Sequence, residues 1–383
     1  MKRIAVVGAG FAGAVLAREL AESGEFRVDV YDQRSHVAGN CHTERDDKTG
    51  VMLHTYGPHI FNTSREDVWD YVRKWGTFEP FVNRVKAHTA RGVFSLPINL
   101  LTINQFFGKS FNPREAKQFV ANLGDASIHE PSNLEEQALK FLGQDLYQNF
   151  FRGYTLKQWG VDPTKLPASI LQRLPIRFNY DDNYFNSRFQ GIPTDGYTSI
   201  IKNILKHPAI DVWLERPFTS SDKIAYDWVF YSGPLDSWFN FHLGRLQYRS
   251  LVFERFDETG DYQGNAVVNY CDEAVPFTRI SEHKHFAPWE SHESTVCFRE
   301  FSKLAEPDDI PYYPLRLADD KELLGKYVEL ADKERGVTFI GRLATYRYLD
   351  MHVVIAESLD LAKLLLENVG DSSAWPTFSV RPQ

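Results

Sequence analysis

Six residues near the start of the chain, Gly8-Ala9-Gly10-Phe11-Ala12-Gly13, fit the pattern G-x-G-x-x-G. An apolar run, Ile4-Ala5-Val6-Val7, precedes them, and Asp32 stands 19 residues beyond Gly13. The chemistry this spacing serves is the holding of a dinucleotide. Glycines let the backbone turn tightly and approach a pyrophosphate. A helix start offers unpaired N–H groups, and the acid can accept a hydrogen bond from a ribose hydroxyl. The bland alternative is a glycine-rich turn in an ordinary α/β protein. The strand–turn–helix–strand–acid order favours the dinucleotide.

The residues after Asp32, "DQRSHVAGNCHT", resemble the extension that flavoproteins carry behind the ribose acid. Gln33 and Arg34 supply polar and basic groups, and Ala38-Gly39-Asn40 make a second small-residue turn. The chain then closes as it opens: Val337-Thr338-Phe339-Ile340 reads as a strand, followed by Gly341, a turn and a helix. In two-domain flavoproteins such a junction lies over the same cofactor. On that likeness Arg342 is expected on a phosphate. Residues 348–352, with Tyr348, Leu349, Asp350 and Met351, are expected beside the ring, where a helix N-terminus would stabilise negative charge. FAD is therefore the expected cofactor.

These elements need a scaffold, and 383 residues allow two or three domains. A net charge of −8 argues against a nucleic-acid partner, and no run of about 18 apolar residues marks a membrane span. Three cysteines without paired spacing point to a reducing, cytoplasmic setting and to no metal. Residues 66–75 carry apolar residues at helical spacing. From 99 to 178 the pattern is helical, with caps expected at Asn112 and at Ser132 or Asn133. Residues 179–300 break into short β-rich runs, and 319–333 return to helix. The last residues, "DSSAWPTFSVRPQ", read as a tail.

The segments "YGPHIFNT", "FVNRVKA", "FFRGYTLKQWG", "LPASILQRLPIRFNYDDNYF", "VPFTRISEHKHF" and "IPYYP" serve no generic flavin role. In order and along nearly the whole chain they resemble the bacterial UDP-galactopyranose mutase family. The resemblance implies an isomerase that interconverts UDP-galactopyranose and UDP-galactofuranose. It implies that N5 of reduced FAD is the nucleophile at the anomeric carbon, with no net redox change. It assigns Arg173 and Arg279 to the UDP pyrophosphate and His59 to a place near the flavin. It puts Tyr184, Tyr313 and Tyr348 on the diphosphate side, and Phe150, Phe151, Tyr154 and Thr155 around the uracil. Trp159 falls beside a mobile loop near 160–180, and Asn83 and Asn269 are polar substrate contacts. Tyr56 and His59 join the cofactor set. Family members also imply a homodimer and an external reductant such as NAD(P)H. One departure stands out: many members read Gly-Gly-Asn where this chain has Ala38-Gly39-Asn40, and alanine is strained if that position needs positive φ.

The expected fold is α/β: a discontinuous Rossmann-like domain (1–80, 195–240 and 316–383), a helical subdomain (99–178) and an antiparallel sheet domain (81–98, 179–194 and 241–315). The competing readings are an amine-oxidase-like flavin oxidoreductase, a mutase for a related UDP-sugar, and a flavin-binding protein without activity.

Overall fold

A computed structural model describes residues 1–173, 176–315 and 318–382; the side chains of Ser169, Gln172, Arg173, Ala318 and Asp319 lie outside the description. Five strands form a parallel sheet: β1 (Lys2–Val7), β2 (Phe26–Tyr31), β10 (Ile210–Trp213), β11 (Trp228–Tyr231) and β17 (Val337–Phe339), in the order β10-β2-β1-β11-β17. Helices cover both faces, so the strands read as apolar runs rather than alternating ones. On one face, α1 (Phe11–Glu22), α7 (Gly196–Leu205) and α11 (Met351–Glu367) pack on Ile4, Val6, Val28 and Phe230. On the other, α9 (Ala318–Lys333) and the short α8 (Leu235–Trp238) enclose Val229, Tyr327 and Phe339. The chain reverses direction across the sheet between β1 and β11. A crevice opens there at the carboxyl ends of the strands, where open α/β sheets bind ligands.

The final residues are not a free tail. Phe339 N–H donates to the Thr377 carbonyl (2.7 Å) and Ser379 N–H to the Phe339 carbonyl (2.9 Å). Trp375 and Phe378 are buried in the cores on the two faces of the sheet. The segment thus covers the exposed edge of β17, and each buried aromatic contributes about 1.5–3 kcal/mol.

The second sheet has seven strands in the order β16-β12-β15-β14-β13-β7-β8. They are β7 (Val85–Thr89), β8 (Gly92–Leu96), β12 (Tyr248–Thr259), β13 (Val267–Tyr270), β14 (Arg279–Glu282), β15 (Ser294–Leu304) and β16 (Tyr313–Pro314). It is antiparallel except for β13 against β7, which run parallel. Residues 189–193 do not join it. They form β9 (Phe189–Pro193), paired with β5 (Phe61–Thr63) and β6 (Phe78–Pro80) in a separate three-stranded sheet. The reason is aromatic: Phe189 stacks on Trp69 of α2 (Glu66–Arg73), with centroids 5.5 Å apart.

The helical region holds α3 (Leu100–Phe107), α4 (Pro113–Leu123), α5 (Leu134–Leu146) and α6 (Gly153–Trp159). Asn112 makes a full capping box with Glu115, and Asn133, not Ser132, accepts from Glu136 N–H. A wide helical turn at Tyr147–Arg152 links α5 to α6. The short α10 (Gly341–Ala344) follows β17. A last pair, β3 (Thr43–Arg45) and β4 (Met52–His54), brings His54 against His283 and Phe286, with centroids 6.1 and 4.8 Å away.

His54 and His283 are 1% and 0% exposed. Burial pushes both imidazoles down, His283 to about 4. Both are therefore neutral in the folded protein, whereas the unfolded chain takes up protons near pH 6.5. Their contribution is complete above that pH and is lost as pH falls towards 4. Chemical denaturation should show stability declining between pH 6.5 and 5, by up to about 1.4 kcal/mol per unit for each histidine. A midpoint constant over that window would contradict the assignment.

Candidate active site

A cavity of about 540 Å³ opens at the crevice between β1 and β11. Gly8, Gly10, Phe11, Ala12, Asp32, Gln33, Arg34, Gly39 and Asn40 line it. Gly8 has φ +106°, and a Cβ there would fall 2.0 Å from Ser232 Oγ, so only glycine fits. Gly13 lies outside the cavity. Its bare Cα lets α1 close on the turn, since a Cβ would meet the Gly8 carbonyl oxygen at 2.0 Å. The Asp32 carboxylate accepts from Ala9 N–H (2.9 Å) and Arg34 N–H (3.0 Å). It braces the glycine turn as well as standing at the ribose position. The start of α1 has no side-chain cap, which leaves its first N–H groups for a ligand. Arg34 donates to Asn40 Oδ1 (2.7 Å) and lies over the Tyr56 ring, yet its Nη1 is buried without a partner. An uncapped helix start, a glycine cradle and an orphaned guanidinium nitrogen together fit a bound dinucleotide. Tyr31, Arg216 and Phe218 line the far end of this cavity; no motif in the sequence marked Arg216 or Phe218.

A second cavity, about 640 Å³, lies between the seven-stranded sheet and α6. It shares His59, Arg342 and Met351 with the first, so the two meet at one wall. Asn83, Tyr154, Trp159, Tyr184, Asn269, Arg279, Tyr313 and Tyr348 line it, as do Gln158 and Glu300. Arg279 Nε lies 3.1 Å from Glu300 Oε1, and Glu300 is 2% exposed. Burial works against the Arg279 charge, but Glu300 holds it, and the guanidinium ends above its ordinary value. Burial also raises the phenols of Tyr154, Tyr184 and Tyr313, so they stay protonated as donors. The side-chain oxygens of Asn83, Gln158 and Asn269 are buried without partners. Three orphaned acceptors around one hollow mark a place for a polar ligand.

His59 Nδ1 lies 2.8 Å from the Gly57 carbonyl, which fixes the hydrogen on that nitrogen. Nε2 then remains an acceptor. Burial, with Arg342 and Arg279 nearby, lowers its pKa to about 4. At neutral pH His59 accepts a hydrogen bond rather than donating a proton from an imidazolium. Arg342 is held mostly within its own loop. Its Nε and Nη2 donate to the Leu349 carbonyl, and Nη1 makes a long 3.4 Å contact with the Tyr312 carbonyl.

Some expected site residues fall elsewhere. Phe150, Phe151 and Thr155 line neither cavity. Phe150 packs edge-on against Phe94 at 5.5 Å and tilted against Phe106 at 5.3 Å, and all three expected residues are buried. The wide turn before α6 directs these rings into the core, and only Tyr154, Gln158 and Trp159 reach the hollow. Tyr56 and Asp350 face the second cavity rather than the first, Asp350 as the N-cap residue of α11. The Arg173 side chain and Leu174-Pro175, expected on the loop near 160–180, lie outside the described residues. Ala38 does adopt φ +78°, the strained case for alanine.

Residues 149–348 match the family model described as UDP-galactopyranose mutase, and residues 6–75 match an NAD(P)-binding Rossmann-like domain. The chain is 54% identical to a "Probable UDP-galactopyranose mutase" of Klebsiella pneumoniae, over 99% of this chain and 98% of that one. It is 50% identical to a "dTDP-fucopyranose mutase" of Escherichia coli, over 96% of this chain and 99% of that one. A solved structure of reduced UDP-galactopyranose mutase shares the fold, with a TM-score of 0.73 at 15% identity, covering 98% of this chain and 96% of that one.

Left-handed backbone costs alanine about 1–2 kcal/mol, and glycine gives back about 0.4–1 kcal/mol through the unfolded chain. Ala38→Gly should therefore stabilise the protein by about 0.5–1 kcal/mol. Scanning calorimetry should show Tm rising by about 1–3 °C; a lower Tm would show that alanine is not strained here.

Proposed function

The chain belongs to the UDP-galactopyranose mutase family, and from that premise we propose that it is a flavin-dependent isomerase converting UDP-galactopyranose to UDP-galactofuranose and back. FAD occupies the first cavity and the nucleotide sugar the second. The observation that carries this reading is the shared wall of His59, Arg342 and Met351, which brings a cofactor ring and a sugar within reach of each other. When bound and reduced, the flavin supplies an electron-rich N5 as nucleophile at the anomeric carbon, which explains a redox cofactor in a redox-neutral reaction.

The residues of the chain do the rest. Arg279, kept charged by Glu300, neutralises the diphosphate as it departs and holds it for return. Arg173 is the expected second guanidinium on the same group. The protonated phenols of Tyr154, Tyr184 and Tyr313 donate to phosphate and sugar oxygens, and Tyr348 stacks on Tyr313 at 5.3 Å to close that side. The amides of Asn83 and Asn269, whose oxygens are otherwise orphaned, accept from sugar or ribose hydroxyls. His59 offers a neutral acceptor at the wall between the cavities, suited to a hydroxyl proton during ring opening. Trp159 closes the open end over the sugar. An external reductant such as NAD(P)H and a homodimeric, cytoplasmic enzyme complete the reading. No helix among the described residues is long and apolar enough to cross a membrane.

A second substrate reading has a specific observation behind it. The E. coli relative acts, by its name, on dTDP-fucopyranose, and it is 50% identical along nearly the whole chain. Incubation with UDP-galactose or dTDP-fucose, each with dithionite, followed by chromatography, separates the two. Furanose product from UDP-galactose, with little from dTDP-fucose, is expected. The reverse preference would transfer the chain to the second reading. Product formed without reductant, or reductant consumed once per product, would exclude this chemistry and favour an oxidoreductase.

Arg279→Lys keeps a charge opposite Glu300 but loses the planar fork. It should lower kcat by about 10–100-fold, the equivalent of 1.5–3 kcal/mol, with FAD still bound. A rate near that of the unaltered protein would remove Arg279 from the diphosphate.

A further inference from the structure

The helix that faces the substrate cavity is fastened by a cation that touches no substrate. Lys157 lies on α6 between Tyr154 and Gln158. Its ammonium is 2.7, 2.8, 2.9 and 3.0 Å from the backbone carbonyls of Tyr270, Asp272, Val275 and Phe277. The first of these carbonyls ends β13, and the other three belong to the loop that joins β13 to β14. Asn269 lies one residue before the ring of carbonyls and Arg279 two residues after it, and both line the second cavity. No carboxylate is paired with Lys157 by a salt bridge among the described residues, so its charge is balanced by peptide dipoles. Other contacts join the same surfaces. Arg152 pairs with Glu273, and a Cβ on Gly153 would fall 2.3 Å from the Cys271 carbonyl oxygen.

We propose that Lys157 is a positioning residue for the reaction: its ammonium, seated in a ring of loop carbonyls, fixes α6 against the hairpin that presents Asn269 and Arg279. The assignment rests on the second cavity being the nucleotide-sugar site. Tyr154, Gln158 and Trp159 come to that site from one side of this joint, and Asn269 and Arg279 from the other. Without the ammonium, four carbonyls that all present negative ends would face each other across a gap. The loop would then relax, and the Arg279 fork would move relative to the phenol of Tyr154. A displacement of about 1 Å at such a site costs on the order of 100-fold.

The joint also has a pH limit. Burial lowers Lys157 to about 8. The charged groups around it are Asp272 and Glu273 of the loop, Arg152 before the helix, and Arg249 of β12, whose guanidinium donates to the Lys157 carbonyl. The Cys271 thiol is pushed up to about 12 and stays uncharged over the working range. Lys157 is thus the group of this cluster that loses its charge near pH 8.

The test compares the reduced holoenzyme with its Lys157→Met variant, which keeps the apolar stem and deletes the charge. Unaltered protein should lose kcat/KM with a midpoint near pH 8. The variant should keep its FAD spectrum, show kcat/KM reduced by about 10–100-fold, and lack that alkaline limb. Unchanged kinetics in folded Lys157→Met, or an alkaline limb that persists in it, would overturn the proposal. A variant that only melts earlier, with normal turnover below its Tm, would also overturn it, since that is a purely structural role. If Lys157→Met does not fold, amide exchange of residues 271–278 in the unaltered protein decides. Protection lost across pH 8, beyond the intrinsic rise in exchange and with the remainder of the sheet unchanged, supports the joint; uniform protection refutes it. Absence of turnover by the unaltered protein on either nucleotide sugar would instead strike the proposed function, and the same exchange measurement then judges Lys157 alone.

Discussion

The guanidinium of Arg342 sets the boundary between the two cavities, and the arrangement of both depends on it. It bonds the Leu349 carbonyl through Nε and Nη2, folding the loop between α10 and α11 back on itself. It also lies 5.6 and 5.3 Å from the ring centres of Tyr313 and Tyr348. One side chain therefore fixes the approach to α11, where Met351 lines both cavities, and the aromatic pair that lines the second. A guanidinium suits this place because its planar fork satisfies a carbonyl while its face stacks on aromatic rings. The price is that little of its donor capacity remains for a phosphate. The expectation of a phosphate contact now rests on Nη1, whose 3.4 Å contact with Tyr312 is the weakest of the set.

The charge beside the second cavity is arranged differently. Glu300 is buried, and Thr278 donates to both its backbone carbonyl (2.9 Å) and its carboxylate (3.2 Å). A buried pair of this kind adds little net stability, because desolvation offsets most of the attraction. Its value lies in preorganisation: a guanidinium already held and aimed needs no rearrangement when a bound group develops negative charge. The neutral His59 and the protonated phenols fit the same logic. They supply hydrogen-bonding atoms to the second cavity without adding negative charge.

Much of this was legible in the residues. The glycine turn, Asp32 and the second junction at Gly341 carry their function in local backbone requirements, and the structure puts both junctions at one crevice. The polar residues of the second cavity were legible only through resemblance, because Asn83, in the stretch before β7, is far in sequence from Asn269 on β13 and Arg279 on β14. Phe150 and Phe151 were given to the uracil by resemblance alone; an aromatic run at helical spacing reads by itself as core, and both rings are buried at the wide turn of Tyr147–Arg152, lining neither cavity. Gln158 and Lys157 were missed for a related reason: one is defined by an orphaned oxygen and the other by carbonyls more than 110 residues away, and neither leaves a pattern in the chain. The C-terminal residues looked like a tail because their partner is the backbone edge of β17, which any short segment can pair with.

In the proposed function, cofactor and substrate meet at the wall of His59, Arg342 and Met351. A crystal structure of the reduced protein with FAD and UDP bound tests it most directly. The isoalloxazine end of FAD is expected at that wall, and the UDP diphosphate in the second cavity within about 3 Å of Arg279. UDP bound away from Arg279, or a flavin ring turned from the wall towards Arg216 and Phe218, would contradict it.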